Sequence, residues 1–325
     1  MKNSKSHYSV IIIGAGPSGI GTAIALSKSG VSSIALIERD DKIGGVPTLY
    51  KKKSGGVPTF MRWSRGGIPV YGEQYAKTLS DKLEKTDVEV WLRSQVIKIE
   101  ANAKKITLVN PNDGQISLTA DAIVMASGSR EKTIAERGWI TGSRPTPVYF
   151  TKQLLQMLDD KDQLPMRNPI IIGSDVLAYA ASAKLKTAGA SNAVIIDKRS
   201  SPACPFHERL FFKLWSRPSF HGFNGNAISI TGTKSTTGIQ ADNEHINGDG
   251  IIVSGDLIPN SELALIGKLK VNLITRVPDV DNNQQLSEPG WFTAGNMLGG
   301  FHSADWCYNN GKRVARSVVN YISKM

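Results

Sequence analysis

The sequence predicts an α/β chain built from two strand–turn–helix–strand units, and three observations lead there. Residues 8–13 form an apolar, β-branched run that breaks into glycines and continues at helical spacing over 17–28. The same order returns later, with an apolar run at 168–172, a turn opened by Gly173, a helical pattern over 176–187 and another run at 193–197. A late strand at 291–293, a turn at Ala294, Gly295 and Asn296, and a helical pattern over 306–322 complete the set.

In the first unit Gly14, Gly16 and Gly19 stand in G-x-G-x-x-G spacing, with Ala15, Pro17 and Ser18 between them. The first glycine permits a tight turn, the second lets backbone approach a pyrophosphate, and the third packs helix on strand. The start of the 17–28 helix offers free N–H groups and the positive end of a dipole. Gly30 ends that helix, residues 33–37 form the second strand, and Glu38 follows Gly19 by 19 residues. A carboxylate there accepts hydrogen bonds from an adenosine ribose. Strand, glycine turn, helix, strand and acid in this order describe a Rossmann-like dinucleotide-binding domain, and a turn without a ligand is the weaker reading.

Beyond Arg39 the pairs Gly44-Gly45, Gly55-Gly56 and Gly66-Gly67 mark a loop-rich excursion able to lie along an elongated cofactor, followed by a helix over 72–85. Short strands are expected at 88–92, 95–100 and 105–109, with residues 111–114 as a hairpin turn. A buried strand at 120–126 runs into Ser127, Gly128 and Ser129.

In the second unit Asp175 replaces the central glycine, between Gly173 and Ala178. It adds a Cβ and a negative charge where a pyrophosphate would approach. Asp197, at the end of the next strand, could hold a ribose, while Lys198 and Arg199 could hold a 2′-phosphate, so the cues conflict. A further strand at 251–254 leaves through a turn at 255–260.

A length of 325 residues suits about two domains, and 40% hydrophobic residues is ordinary for a globular chain. The formal charge of +11, from 39 basic and 28 acidic residues, favours anionic partners or substrates. The basic residues are dispersed and accompany no nucleic-acid-binding motif, so a solvated basic surface is expected and a nucleic-acid partner is not. Cys204 and Cys307 are the only cysteines, which implies no disulfide framework and a reducing cytoplasm. Lys2 and Lys5 imitate the start of a signal peptide, but the glycine turn follows at once. No run reaches the roughly 18 apolar residues of a membrane span, and no His, Cys and carboxylate cluster has metal-ligand spacing.

Together these motifs resemble the pyridine nucleotide-disulfide oxidoreductase superfamily, flavoproteins with two dinucleotide-binding domains. The likeness rests on residues 14–19 with Glu38, on Ala126-Ser127-Gly128-Ser129, similar to the family's A-T-G motif, and on Phe292-Thr293-Ala294-Gly295-Asn296, similar to its late A-G-D motif. It implies FAD in the first domain, held by Gly14, Gly16, Pro17, Ser18, Gly19, Glu38 and Arg39. Gly44 and Gly45 would line its phosphate side and Val96 would meet the adenine through backbone. Ala126, Ser127 and Gly128 would lie at the strand end, and Gly295 with Asn296 at the ribityl and pyrophosphate. Asn296 stands where the family has aspartate and can still hydrogen-bond a hydroxyl. The resemblance also implies a discontinuous FAD domain, residues 1–148 and 258–325, with an NAD(P)-binding-like domain inserted at 149–257. A second nucleotide site there would comprise Gly173, Asp175, Asp197 and Lys198, and whether it takes NAD(P)H or another adenine nucleotide stays open.

Residues 142–151 (GSRPTPVYFT) and 295–305 (GNMLGGFHSAD) are similar to the small flavoprotein subunits of opine oxidase, hydrogen cyanide synthase and dye-linked proline dehydrogenase. The cysteine-rich extension of some of those proteins has no counterpart here, so an iron–sulfur cluster is not expected.

Flavin performs hydride and one-electron chemistry itself, so no acid, base or nucleophile is compulsory. The two cysteines are 103 residues apart and outside any C-x-x-C motif, which disfavours disulfide reduction. His302, which the resemblance brings near the flavin's pyrimidine edge, is the candidate catalytic residue, donating to the reduced flavin or relaying a proton. Capping of the following helix, or a core hydrogen bond, explains it equally well. Residues 206–215, aromatic and basic, read as core packing before a partner-facing helix.

The expected function is a cytoplasmic FAD-dependent oxidoreductase, a dehydrogenase or the FAD subunit of a heteromeric amine or hydroxy-acid dehydrogenase. It would act on a small molecule, in an oligomer, with a partner dehydrogenase subunit. An NAD(P)H-dependent flavin reductase of a small acceptor and a non-catalytic FAD-bound scaffold are the alternatives.

Overall fold

The computed structural model of the protein describes residues 5–52, 60–62, 68–161, 163–225 and 227–325. The glycine pairs at 55–56 and 66–67 lie outside the described residues. The chain divides into two compact units, one of Met1–Thr48, Phe60–Arg130 and Leu257–Met325, the other of Leu49–Thr59 and Glu131–Asp256.

The first unit is built on a seven-stranded sheet. At its centre strand His7–Ile13 runs parallel to Ile34–Ile37 on one side and to Gly114–Met125 on the other. Successive side chains of a strand face opposite ways. Ile11, Ile13, Ala35 and Ile37 accordingly enter one core, with Trp91, Ile106 and Leu108. Val10, Ile12, Ile34 and Leu36 enter another, against Ile20 and Ile24 of helix Pro17–Lys28 and Val314 and Val318 of helix Ala304–Ile322. Both faces are covered, which is why these strands read as unbroken apolar runs.

Strand Gly114–Met125 starts six residues before the apolar run that announced it. Its first half pairs antiparallel with Lys105–Asn110 and alternates inward Leu118 and Ala120 with outward polar residues. Its second half, Ile123 to Met125, pairs in parallel with Trp291–Thr293.

Helices Pro17–Lys28 and Ala304–Ile322 approach backbone to backbone. A Cβ on Gly21 would overlap the Tyr308 carbonyl oxygen, and one on Gly311 would overlap that of Ser18. Thr22 Oγ1 donates to the Gly311 carbonyl at 3.1 Å across the same crossing.

In the second unit five parallel strands lie in the order Val148–Phe150, Gly250–Val253, Pro169–Ile172, Val194–Asp197, Ser219–Gly222. Pro169–Ile172 is flanked as His7–Ile13 is in the first, and helix Val176–Thr187 follows it. A smaller sheet sets Ile140–Gly142 parallel to Ile228–Gly232, which continues antiparallel through Thr236–Ala241 and Glu244–Asn247.

These pairings move the first domain boundary. Ile140–Gly142 and Val148–Phe150 both find their partners inside the second unit, and the Arg137 guanidinium donates to the Ser254 and Gly255 carbonyls at 3.0 and 2.7 Å. The longer of the second unit's two segments therefore starts at Glu131, against the 149 expected. Residues 49–52 belong to it because buried Lys184 donates to both Asp159 oxygens at 3.0 Å and to the Lys51 carbonyl at 3.1 Å.

Core packing of residues 206–215 is corrected too. The helix covers Phe206–Phe212 only, and Phe212 is its one fully buried residue, whereas Phe206, Leu210 and Leu214 are 69%, 55% and 76% exposed. No helix among the described residues is long and apolar enough to cross a membrane.

A glycine-to-alanine change inside a helix ordinarily stabilises by about 1 kcal/mol. Gly311→Ala is expected to do the reverse, because its methyl meets a backbone oxygen that cannot turn aside, and overpacking of this kind costs about 1–3 kcal/mol. A calorimetric melting point above that of the wild type would refute the close crossing.

Candidate functional site

Strand His7–Ile13 ends at Gly14, whose N–H donates to the Ile37 carbonyl at 2.8 Å and whose φ of +104° is a glycine conformation. A Cβ there would lie 2.5 Å from the Ala126 carbonyl oxygen and 3.2 Å from the Ser127 nitrogen, so the Ala126-Ser127-Gly128 strand end lies against the turn. Gly44 N–H donates to the Ala15 carbonyl at 2.8 Å, and a Cβ on Gly45 would come within 2.9 Å of Gly16 Cα. The first glycine pair of the excursion is thereby folded onto the turn.

Pro17 opens the helix at a position where its missing N–H costs nothing. Gly16, the N-cap residue, provides no side-chain cap, and a Cβ on it would meet nothing within 4 Å among the described residues. Gly19 packs on Gly14, whose carbonyl oxygen a Cβ would overlap. Buried Ser18 faces Gly295, where a Cβ would lie 2.5 Å from Ser18 Oγ.

Glu38 is buried, and its carboxylate accepts from Ala15 N–H at 2.8 Å and Asp40 N–H at 3.0 Å. Arg39 beside it is exposed. Val96 is buried in strand Gln95–Glu100, opposite Leu108 and next to a register shift. It stands two residues beyond Ser94, whose N–H donates to the Glu38 carbonyl at 2.8 Å.

Two asparagines not singled out in the sequence hold this arrangement. Asn260 donates from Nδ2 to the Ser127 carbonyl at 2.8 Å and from its backbone to the Gly128 carbonyl at 3.0 Å, and its own carbonyl accepts from Ser127 Oγ at 2.9 Å. Asn310 accepts from Gly295 N–H at 2.8 Å and donates to Gln284 Oε1 at 3.2 Å. Asn260 follows the short strand Leu257–Pro259 and reads as an ordinary turn residue.

The Asn296 carboxamide oxygen accepts from His302 N–H at 3.2 Å and from the Cys307 thiol at 3.4 Å. The half-buried His302 ring stacks on Trp306, with centroids 3.7 Å apart and planes 14° from parallel. Burial holds its imidazole below the usual 6.5, opposed by a hydrogen bond with the Gly299 backbone. Ser303, not His302, caps helix Ala304–Ile322, accepting from Trp306 N–H at 3.2 Å.

In the second unit Gly173 repeats the tight turn at φ +112°, with its N–H donating to the Ile196 carbonyl at 2.8 Å. Asp175 caps helix Val176–Thr187, its Oδ1 accepting from the N–H groups of Leu177 at 3.1 Å and Ala178 at 3.2 Å. Asp197 accepts from Ser174 Oγ at 2.6 Å and from Arg199 N–H at 3.1 Å. Exposed Lys198 places Nζ 5.6 Å from the centre of the Trp139 ring. The two turns thus differ at the helix start: among the described residues Gly16 supplies no capping side chain in the first, whereas the Asp175 carboxylate takes two of those N–H groups in the second.

Cys204 lies in the second unit and Cys307 in the first. Both are free and buried, and burial pushes each thiol up to about 12.

The pattern described as pyridine nucleotide-disulphide oxidoreductase matches residues 8–311. The chain belongs to this family. Its members are flavoprotein oxidoreductases that use FAD and NAD(P)H. Among relatives, the chain is 21% identical over 346 residues to the soluble pyridine nucleotide transhydrogenase of Vibrio atlanticus (strain LGP32), covering 97% of this chain and 71% of that one. It is 24% identical over 327 residues to an opine oxidase subunit of Rhizobium meliloti, covering 91% of this chain and 59% of that subunit. The fold matches that of T. acidophilum thioredoxin reductase with a TM-score of 0.75 at 18% identity, over 98% of this chain and 99% of that one.

With both thiols near 12, about one in ten thousand is ionised at pH 8. The native protein is expected to release no rapid equivalent in an aromatic-disulfide thiol assay, and two after denaturation. A fast native equivalent would show an accessible thiolate.

Proposed function

We propose that the chain is an FAD-dependent dehydrogenase, or the FAD subunit of a heteromeric amine or hydroxy-acid dehydrogenase, acting on a small molecule. The observation behind this reading is the helix start at Gly16, which has no side-chain cap and, among the described residues, no atom where a Cβ would sit. The likeness to a protein named as a subunit, that of opine oxidase, supports a role shared with a partner chain. Two buried thiols, free of any disulfide and in separate units, support chemistry other than that of a C-x-x-C disulfide reductase.

When bound, FAD supplies hydride and one-electron transfer. The N–H groups of Ser18 and Gly19 at the uncapped helix start would bind its pyrophosphate, helped by the dipole. Glu38 would orient a ribose with the lone pairs that Ala15 and Asp40 leave. Gly44 and Gly45 would line the phosphates, Val96 the adenine through backbone, and Ala126, Ser127, Gly128, Gly295 and Asn296 the remaining length. His302 would hold at a ring nitrogen the proton that an amine or hydroxy acid gives up with its hydride. Since burial lowers its pKa, the ring is neutral and able to accept a proton at pH 7, and loses that ability as pH falls below 6.5.

Gly16→Val introduces side-chain bulk where the fold has room, so the variant is expected to fold and to lose its flavin. Stoichiometric flavin in the folded variant would sink the assignment. In an anaerobic titration of the flavin-bound protein, secondary amino acids or hydroxy acids are expected to bleach the visible absorbance while NADH and NADPH do not. In steady-state turnover the rate should fall on the acid side below pH 6.5, and His302→Ala should lower turnover and abolish that limb. Rapid bleaching by NADH or NADPH would make the protein a nicotinamide-linked flavin reductase instead.

A further inference from the structure

The turns of the two units align position for position at a constant offset of 159, Gly14 with Gly173 and Glu38 with Asp197. Their N-cap residues have matching backbones, φ −76° and ψ −177° at Gly16 against φ −80° and ψ −174° at Asp175. In each, the first glycine donates at 2.8 Å to the carbonyl just before the acid, Ile37 or Ile196. In each, a Cβ on that glycine would overlap the carbonyl oxygen at the end of the next parallel strand, Ala126 or Ser254.

What differs is the occupant. Leu177 and Ala178 are the counterparts of Ser18 and Gly19, and their N–H groups both donate to the Asp175 carboxylate. Asp197, the counterpart of Glu38, receives the Ser174 hydroxyl, the Arg199 N–H and the Arg199 guanidinium at 3.0 Å. Ser174, at the position of Ala15, binds the chain that follows, accepting from Ala203 N–H at its hydroxyl (3.0 Å) and from Cys204 N–H at its carbonyl (2.7 Å). Gly255 lies against Asp175, so closely that a Cβ would overlap the carboxylate, and its N–H donates to Glu131 at 3.1 Å. The buried cation nearby, Arg137, donates to the Ser254 and Gly255 carbonyls.

We propose that the second unit is a self-liganded dinucleotide fold, closed to NAD(P)H. The Asp175 carboxylate stands where a pyrophosphate would bind, and residues 197–204 are clasped through Ser174 where a ribose would. An incoming pyrophosphate must displace a carboxylate of its own charge sign, with Glu131 and Asp197 adding to the repulsion and the Arg137 guanidinium offsetting part of it. Reducing equivalents therefore do not enter the protein through this unit. The inference does not rest on the FAD assignment, since flavin absorbance reports on the first unit and dinucleotide binding on the second.

The test is calorimetric titration of the flavin-bound protein with NADH and with NADPH. The wild type is expected to show no saturation up to about 1 mM, and Asp175→Gly to gain at least about tenfold in association constant for one of the two. Asp175→Asn keeps a capping side chain and removes the charge, so it is expected to gain less than the glycine variant but measurably. Saturable binding to the wild type would overturn the proposal, as would an Asp175→Gly protein that keeps its circular dichroism and flavin yet titrates like the wild type. Should the glycine variant fail to fold, no gain in Asp175→Asn would overturn it equally.

Discussion

A helix that starts directly after a buried parallel strand exposes backbone N–H groups that no earlier turn of helix can satisfy, and its dipole concentrates positive potential there. Something must meet them. In the first unit the N-cap residue is a glycine, which has no side chain for the task. In the second the same groups close on an aspartate. The excursion at Gly44, the acid at the next strand end and the neighbouring strand end at Ala126 are all arranged about that one point.

The distant pieces reach the point through close backbone approach. The crossing of Gly21 and Gly311 lets helix Ala304–Ile322 lie on helix Pro17–Lys28, and Gly295 settles on Ser18 as a result. Asn310, one residue before the crossing glycine, fixes Gly295 by its N–H, and Asn296 then fixes the His302 backbone. Each such hydrogen bond contributes only about 1 kcal/mol net, but leaving a buried donor unmade costs about 1–3 kcal/mol, so the set is more a constraint on position than a source of stability. His302 is thus placed by a chain of contacts that begins almost three hundred residues earlier.

The parts of this arrangement legible in the sequence are those in which one physical demand dominates. Strands His7–Ile13 and Pro169–Ile172 are buried on both faces and read as unbroken apolar runs, and the helices after them follow as the glycine spacing requires. Thr236–Ala241 is interrupted by Gly238 and Glu244–Asn247 is only four residues long and largely exposed, so alternation is too faint to mark them. The unit boundary at Glu131 depends on pairings more than eighty residues apart, which no local pattern reports. Asn260 and Asn310 act through single hydrogen bonds to backbone, and one asparagine looks like another until its partner is known. Asp175 is visible in the sequence as an intruder, but only its bonds to Leu177 and Ala178 show what it does there.

Two turns with nearly identical backbone therefore differ in what meets their helix N–H groups, an aspartate side chain in one and no N-cap side chain in the other, which separates what the fold decides from what the site decides. The separation has an energetic side. A capping aspartate contributes about 1 kcal/mol to the helix it starts, while a glycine contributes slightly less and leaves its donors to solvent. The second turn collects its stabilisation on folding, from within the chain. The first leaves the corresponding groups to solvent or to an anion, and a ligand that binds the native state alone raises stability by RT ln(1 + [L]/Kd). An anion bound at the first turn would in that sense add to the stability of its unit, whereas the second turn draws on its own sequence.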